Sequence, residues 1–232
     1  LCVHKLVSAG LEPGDGDVLV TGATGGVGSV AVKLLSQLGY RVTAATGKQE
    51  QAAFLQELGA AEVIDRAELN EGTDRPMLKT RWAGAVDTVG GDILFNVVKS
   101  VNYGGSVACC GLTAGAQFAG NVFPFILRGV NLLGVDSVEL PLVAKASMWD
   151  MLSLQWKMDL EPLVEEISLA ETPQAIARIL AGHQKGRVAQ EHQPGARRPR
   201  PMKPGRGGCP AHGGIHRGER QHQAARGPRP GP

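Results

Sequence analysis

The sequence predicts an α/β fold, a doubly wound parallel sheet with helices on both faces. Three observations carry that reading. Short, near-continuous apolar runs alternate with amphipathic stretches through the first 135 residues, and strands apolar along their whole length are strands covered on both sides. Glycines follow the first two helical stretches, at Gly39 and Gly59, where they end a helix at little conformational cost. Between the first strand and the first helix stands the run Val18-Leu-Val-Thr-Gly-Ala-Thr-Gly-Gly-Val-Gly28.

Taken in order, Asp17–Thr21 is a strand, Gly26–Leu38 a helix and Arg41–Ala45 a second strand. Gln49–Leu58 is a helix with Ala52, Ala53, Leu55 and Leu58 on one face, and Glu62–Asp65 is a short third strand. Ala83–Val89, Gly105–Cys110 and Val130–Val135 are the remaining strands, with helices over Ile93–Val101 and Phe123–Leu127. Right-handed crossovers give the strand order 3-2-1-4-5-6. Residues 1–140 form this domain, and residues 141–188 a return segment. The return segment has a helix over Leu142–Leu154, a strand over Leu163–Ile167, and a helix with Thr172 as N-cap and Pro173 at N1. The stripe Ala175, Ile176, Ile179 and Leu180 of that last helix needs a surface to pack on.

Residues 189–232 differ in character. They hold nine Lys/Arg against two Asp/Glu, eight Pro and nine Gly, and no Val, Leu, Phe, Tyr or Trp, whereas residues 1–188 hold 15 basic against 20 acidic residues. Such a segment cannot bury enough apolar surface to offset its ordering entropy, so a disordered basic tail is expected. It lacks the interleaved aromatics of a nucleic-acid-binding segment, and its Arg/Pro/Gly/Ala/His mixture matches out-of-frame translation of GC-rich coding sequence better. The four cysteines (Cys2, Cys109, Cys110 and Cys209) have no metal-ligand spacing, and Cys109 and Cys110 are read as small buried hydrophobes rather than nucleophiles. No signal peptide and no membrane-length apolar run are visible, so a cytoplasmic protein without a membrane partner is expected.

The glycine run carries the chemistry. A strand, a glycine turn and a helix N-terminus together hold a dinucleotide's pyrophosphate on free N–H groups and the positive end of the helix dipole. Gly22 takes the tight turn, Gly25 or Gly26 lets the backbone approach the phosphates, and Gly28 lets the helix pack closely on the strand. NAD-dependent domains of this Rossmann type place an acid at the end of the second strand to bind the ribose 2′-hydroxyl. Here that position is Ala44-Ala-Thr-Gly-Lys48, with no acid; Thr46 offers a hydroxyl, Gly47 an N–H and Lys48 a cation, which favours NADPH. Arg66, just past the third strand, is within reach of the same phosphate, and is read equally well as a solvated loop charge.

The same glycine run fits short-chain dehydrogenases, which need Tyr followed four residues later by Lys. Tyr40 is followed at that spacing by Ala44 and Tyr103 by Val107, so that class fails on its catalytic pair. With Gly22–Gly28, the blocks Asp87-Thr-Val-Gly-Gly91, Asn102-Tyr-Gly-Gly-Ser106, Ala108-Cys-Cys-Gly-Leu112, Pro124-Phe-Ile-Leu-Arg128 and Gly134-Val-Asp-Ser137 resemble the medium-chain dehydrogenase/reductase superfamily. Within it they are most similar to the zinc-independent quinone oxidoreductase branch, in particular the NADPH-dependent acrylyl-CoA reductase group.

That resemblance, which runs from about Leu1 to Arg187, implies reduction of an activated C=C bond, acrylyl-CoA to propanoyl-CoA, or of a quinone. Hydride would add at the β-carbon and a proton at the α-carbon of the enolate. Gly25, Gly26, Val27 and Gly28 would hold the pyrophosphate, and Thr46, Gly47, Lys48 and Arg66 the 2′-phosphate. Leu112, Ile126 and Ser137 would line the nicotinamide half, the alternative being that Leu112 and Ile126 are core residues and Ser137 a turn former. The resemblance further implies a homodimer through the sixth strand and no metal site. It also implies that the family's N-terminal chaperonin-like β domain, with the catalytic residues, lies outside this sequence. A non-catalytic NADP(H)-binding module is therefore the alternative.

Overall fold

The structure, a computed structural model, describes residues 1–190. Helix α1 (Cys2–Ser8) precedes β1 (Asp17–Val20), α2 (Gly28–Gln37), β2 (Arg41–Thr46), α3 (Ala52–Glu57) and β3 (Glu62–Asp65). After a long connection come β4 (Trp82–Asp87), α4 (Gly91–Ser100), β5 (Val101–Cys109), α5 (Phe123–Arg128) and β6 (Asn131–Gly134). The six strands form one parallel sheet in the order β3-β2-β1-β4-β5-β6, as expected from the alternation of elements.

The pleat of β1 divides the interior. Val18 and Val20 point to one face, where α1, α2 and α3 contribute Leu6, Val32, Leu35 and Leu55, with Leu58 just past the end of α3. Leu19 points to the other, against Trp82 and the Ile93, Leu94, Val97 and Val98 stripe of α4. Burial on both faces is why these strands are apolar throughout rather than alternating.

Beyond the sheet lie α6 (Leu142–Ser153), β7 (Val164–Ile167), α7 (Thr172–Leu180) and β8 (Arg187–Gln190), with β7 and β8 paired in parallel. Leu163 enters the core beside α1 and α2, and Trp156, Met158 and Val164 pack against that core. Ala189 and Gln190, assigned by composition to the basic tail, belong to β8; the rest of that tail lies outside the described residues.

Several expected details are corrected. Helix α2 starts at Gly28, not Gly26, because Gly22–Val27 is held as a turn. The helix expected over Gln49–Leu58 is a short 3₁₀ turn followed by α3, and bulky Phe54 takes the buried place expected for Ala52 and Ala53. Strand β5 begins at Val101 rather than Gly105. Thr172 is not an N-cap: a capping box of Ser168 and Glu171, with Ser168 N and Oγ donating to the carboxylate at 2.8 and 2.7 Å, closes the preceding 3₁₀ turn. The stripe of α7 is buried only at Ala175; Ile176, Ile179 and Leu180 are exposed.

The connection between β3 and β4 is anchored on a buried cation. Lys99 is 1% exposed, and its Nζ donates to the carbonyls of Gly72, Thr73 and Arg75 at 3.0, 3.1 and 2.9 Å. Burial lowers its pKa below the ordinary lysine value. Arg128 continues the bracing, donating to Lys99 O and Leu78 O at 2.7 and 2.8 Å. Replacing Lys99 by Met keeps the stem and strands three carbonyls, so K99M is expected to lose about 2–4 kcal/mol of stability in urea unfolding. A loss below about 0.5 kcal/mol would show that this bracing contributes little.

Candidate dinucleotide site

The strand order reverses between β1 and β4, and the turns that leave these two strands meet there. Thr21 and Asp87 tie them together. Thr21 Oγ1 donates to Asp87 Oδ1 at 2.7 Å and accepts from Thr88 N at 3.0 Å, while Thr88 Oγ1 donates to Thr21 O at 2.8 Å. The other Asp87 oxygen accepts from Gly90 N at 2.8 Å and from Val89 N at 3.3 Å. Asp87 is fully buried, and burial holds its carboxyl above the usual carboxylate range, against the pull of those hydrogen bonds.

On this base the glycines divide their work. Gly22 has φ +59°, and a Cβ there would stand 2.3 Å from Thr88 Oγ1. A Cβ at Gly28 would stand 2.3 Å from Gly22 O and 2.8 Å from Ala23 Cα, so α2 starts hard against the turn's own backbone. Gly25 is less crowded, with Gly22 O 3.2 Å from its would-be Cβ, and Gly26 faces the Arg187 side chain, its would-be Cβ lying 2.7 Å from Nε. Val27 is the exposed N-cap residue of α2. Among the described residues, the N–H groups of Gly26, Val27 and Gly28 have no acceptor, and the buried Ser29 Oγ has no partner. Unused donors at the start of a ten-residue helix, beside an orphaned buried hydroxyl, fit a pyrophosphate group.

The cationic candidates follow the ends of the paired strands β2 and β3. Thr46 is buried, and its Oγ1 accepts from Lys48 N at 3.0 Å and lies 3.2 Å from Thr24 Oγ1. Its hydroxyl is therefore used inside the protein, joining this turn to the glycine turn. Arg66 lies along Gly47, where a Cβ would stand 2.7 Å from Nε. Lys48 Nζ donates to Gln184 O at 2.6 Å, and burial lowers the lysine's pKa.

The remaining candidates are more scattered. Leu112 is 66% exposed and Ile126 68% exposed, so neither is a core residue. Leu112 sits against the Asp87–Gly90 turn, its Cα 3.1 Å from a would-be Gly90 Cβ. Ile126 lies on α5 and Ser137 in the bend after β6; among the described residues no backbone hydrogen bond joins either to the cluster around Gly22–Gly28. Cys109 is half-buried and Cys110 exposed, which corrects their expected full burial. The Cys110 thiol is pushed far up by its hydrogen bond with Cys2 and by burial, and the Cys109 thiol is raised by burial, so neither is an activated nucleophile. Among the described residues no group of three or more His, Cys, Asp or Glu could hold a metal ion, and no helix is long and apolar enough to cross a membrane.

Two contributors are not named by the sequence pattern. Asp87 has a legible signal, an acid closing an apolar strand at the switch point. Arg187, whose Nε donates to Gly26 O at 3.1 Å from 161 residues away, has none.

A doubly wound sheet with a glycine turn at its switch point is the nucleotide-domain architecture of dehydrogenases. The zinc-binding dehydrogenase family profile matches residues 26–153, more than half of the chain, and the chain belongs to that family. It is 49% identical over 190 residues to YhfP of Bacillus subtilis, named as a putative quinone oxidoreductase, covering 81% of this chain and 58% of that protein. It is 47% identical over 189 residues to the acrylyl-CoA reductase AcuI of Ruegeria pomeroyi, covering 81% and 57%. The crystal structure of YhfP with NAD bound superposes with TM-score 0.79 at 48% identity, over 82% of this chain and 59% of that one. That of Escherichia coli YhdH with bound NADPH superposes with TM-score 0.77 at 44% identity, over 82% and 58%. The chain thus spans less than two thirds of the length of these relatives.

The glycine geometry is testable without a ligand. Gly28→Ala drives a methyl into backbone that cannot yield, and should cost about 3 kcal/mol in equilibrium unfolding. At Gly134 nothing lies within 4 Å of a would-be Cβ and φ is not positive, so G134A should stay within about 0.5 kcal/mol of the parent. Equal effects at the two positions would show that the turn is not close-packed.

Proposed function

We propose that this chain is the NADPH-binding portion of a reductase of the zinc-independent, quinone-oxidoreductase-like branch, acting on the activated C=C bond of an acyl-CoA such as acrylyl-CoA, or on a quinone. The observation that carries the cofactor assignment is the placing of Lys48 and Arg66 about Gly47 at the end of β2, where NAD-binding domains use an acid. A 2′-phosphate there would meet two cations, and a bare 2′-hydroxyl would find no carboxylate to accept its hydrogen bond. The names of YhfP and AcuI support the reaction class.

NADPH supplies a hydride when bound. This chain's part is to hold it: the N–H groups of Gly26, Val27 and Gly28 receive the pyrophosphate, and Lys48 and Arg66 the 2′-phosphate. Leu112, beside the Asp87–Gly90 turn, offers an apolar wall to the nicotinamide half, with Ile126 and Ser137 as further candidates. Thr46 contributes by positioning the Lys48 turn. No catalytic acid is assigned among the described residues.

Fluorescence titration should show NADPH binding at least tenfold tighter than NADH, about 1.4 kcal/mol, with Arg66→Ala narrowing the gap. Equal affinity for the two would overturn the cofactor assignment. Acrylyl-CoA-dependent oxidation of NADPH separates the reductase from a non-catalytic NADP(H)-binding module: this chain alone is expected to bind without turnover, and to gain turnover only at the length of its relatives. Turnover by this chain alone would overturn the assignment of catalysis to residues outside it, and absence of turnover at full length would favour the module.

We also propose a cytoplasmic homodimer paired through β6. That strand is an edge of the sheet, and the nearby Ile126, Leu127 and Val138 are exposed. Sedimentation equilibrium should give the mass of two chains; a monomer at micromolar concentration would rule the pairing out.

A further inference from the structure

Residues Gln184–Arg187, which follow α7 and end on the first residue of β8, cross from the β7–β8 pair to the two turns that make up the dinucleotide site. Gly186 N donates to Thr24 O at 2.9 Å, inside the glycine turn. Arg187 Nε donates to Gly26 O at 3.1 Å, and its guanidinium lies along Gly26 so closely that a Cβ there would stand 3.0 Å or less from Nε, Cδ and Cζ. At the start of this strap, Gln184 O accepts from Lys48 Nζ at 2.6 Å. Lys185, between these anchors, sets its ammonium 4.8 Å from the centroid of the Phe54 ring on α3.

The strap is itself held in place. Gln184 Nε2 donates to Glu165 Oε2 of β7 at 3.2 Å. Gly186 has φ +57°, and a Cβ there would stand 2.3 Å from Leu163 O, so only glycine takes this conformation this close to the chain before β7. The path that fixes Gln184 O in space therefore runs through the core residue Leu163 on one side and the glycine turn on the other.

We infer that the strap Gln184–Arg187 is a specificity-determining part of the dinucleotide site, clipping the glycine turn to the Lys48 turn so that the Lys48 ammonium is fixed where a 2′-phosphate is read. The inference rests on the NADPH assignment above. An ammonium has three donors; one is spent on Gln184 O and two remain for phosphate oxygens. A lysine on an unsupported turn loses up to about 2 kcal/mol of side-chain entropy when it engages a ligand, and a lysine already held loses less. The benefit falls mainly on NADPH, because NADH offers Lys48 a neutral 2′-hydroxyl in place of a charged phosphate. Arg187 acts here as a positioning residue that anchors the strap to Gly26, and it is exposed beside the pyrophosphate-binding turn.

The test is a double-mutant cycle on the full 232-residue chain, titrated with NADPH and with NADH. Lys48→Met should reduce the NADPH/NADH preference about tenfold, the loss of one charge-assisted hydrogen bond. Arg187→Ala should reduce that preference about fivefold, with NADH affinity changed less than the preference, and should add nothing further in the Lys48→Met background. Arg187→Lys, which keeps the charge and loses the Nε–H to Gly26 O, should resemble the Ala variant. Hydrogen exchange gives a readout independent of the variants: NADPH should slow exchange at the Gly186 amide more than NADH does. The inference is overturned if R187A leaves the preference within twofold, if the losses in the double variant are additive, or if both cofactors protect Gly186 equally. Those outcomes leave the NADPH assignment standing wherever K48M or R66A still narrows the preference. A parent chain that binds NADPH no better than NADH would instead remove the assignment and the inference with it.

Discussion

The site depends on one buried carboxylate. Asp87 is fully buried at the end of β4, where an ionised carboxylate without partners would cost several kcal/mol. The fold meets that cost with Thr21 Oγ1 on one oxygen and the Gly90 and Val89 amides on the other. Those three donors come from the turns that leave β1 and β4. Satisfying Asp87 therefore brings both turns to fixed positions across the switch point, and the positive φ of Gly22 and Gly90 follows from chain that must bend sharply around it. The crowding continues at Gly111, where a Cβ would stand 1.9 Å from Thr88 O. An apolar residue at position 87 would remove the buried charge and leave the two turns unlinked.

From that junction the site extends outward by hydrogen bonds between turns rather than by apolar packing. Thr24 and Thr46 share a contact at 3.2 Å that links the glycine turn to the end of β2, and Thr46 in turn accepts from Lys48 N. Composition and position suggest that Thr46 faces a phosphate; instead its hydroxyl organises the Lys48 turn. A buried hydroxyl between two turns suits this role because it both donates and accepts, and because its side chain is too short to leave its place. In the proposed site, specificity rests on cations whose backbone is set by neutral groups behind them.

How much of this is legible in the sequence depends on the range of the interaction. The strand order, the glycine turn and the approach of Arg66 to Gly47 follow from patterns within one βα unit or between adjacent ones, where spacing and crossover handedness fix geometry. Periodicity fails where it is asked whether an apolar face has a partner. The stripe of α7 is apolar, as its spacing says, yet it is largely uncovered, because the pattern records the face a helix offers and not the surface it meets. The start of α2 differs by two residues from the expected one because Gly26 and Gly28 look alike in a sequence; only the approach of Gly22 O to Gly28 shows which of them opens the helix. Lys48 is legible as a cation, but its contact with Gln184 spans 136 residues and is made by a backbone carbonyl, which no side-chain pattern encodes.

Overall resemblance does not decide cofactor choice in these proteins. YhfP, at 48% identity to this chain, was solved with NAD, and YhdH of Escherichia coli, at 44%, with NADPH. Resemblance at that level fixes the sheet, the glycine turn and the family without fixing the nucleotide, because the two nucleotides differ by one phosphate and meet the protein differently over a few atoms at the end of β2. A turn that presents Gly47 to the guanidinium of Arg66 and braces an ammonium at Lys48 places positive charge at that point before any ligand arrives. Charge already in place at a site is worth more than charge that must be brought to it, since the cost of ordering is met during folding. On the proposed assignment, the preference for a 2′-phosphate is a property of how two distant stretches of sequence, residue 48 and residues 184–187, are folded onto each other.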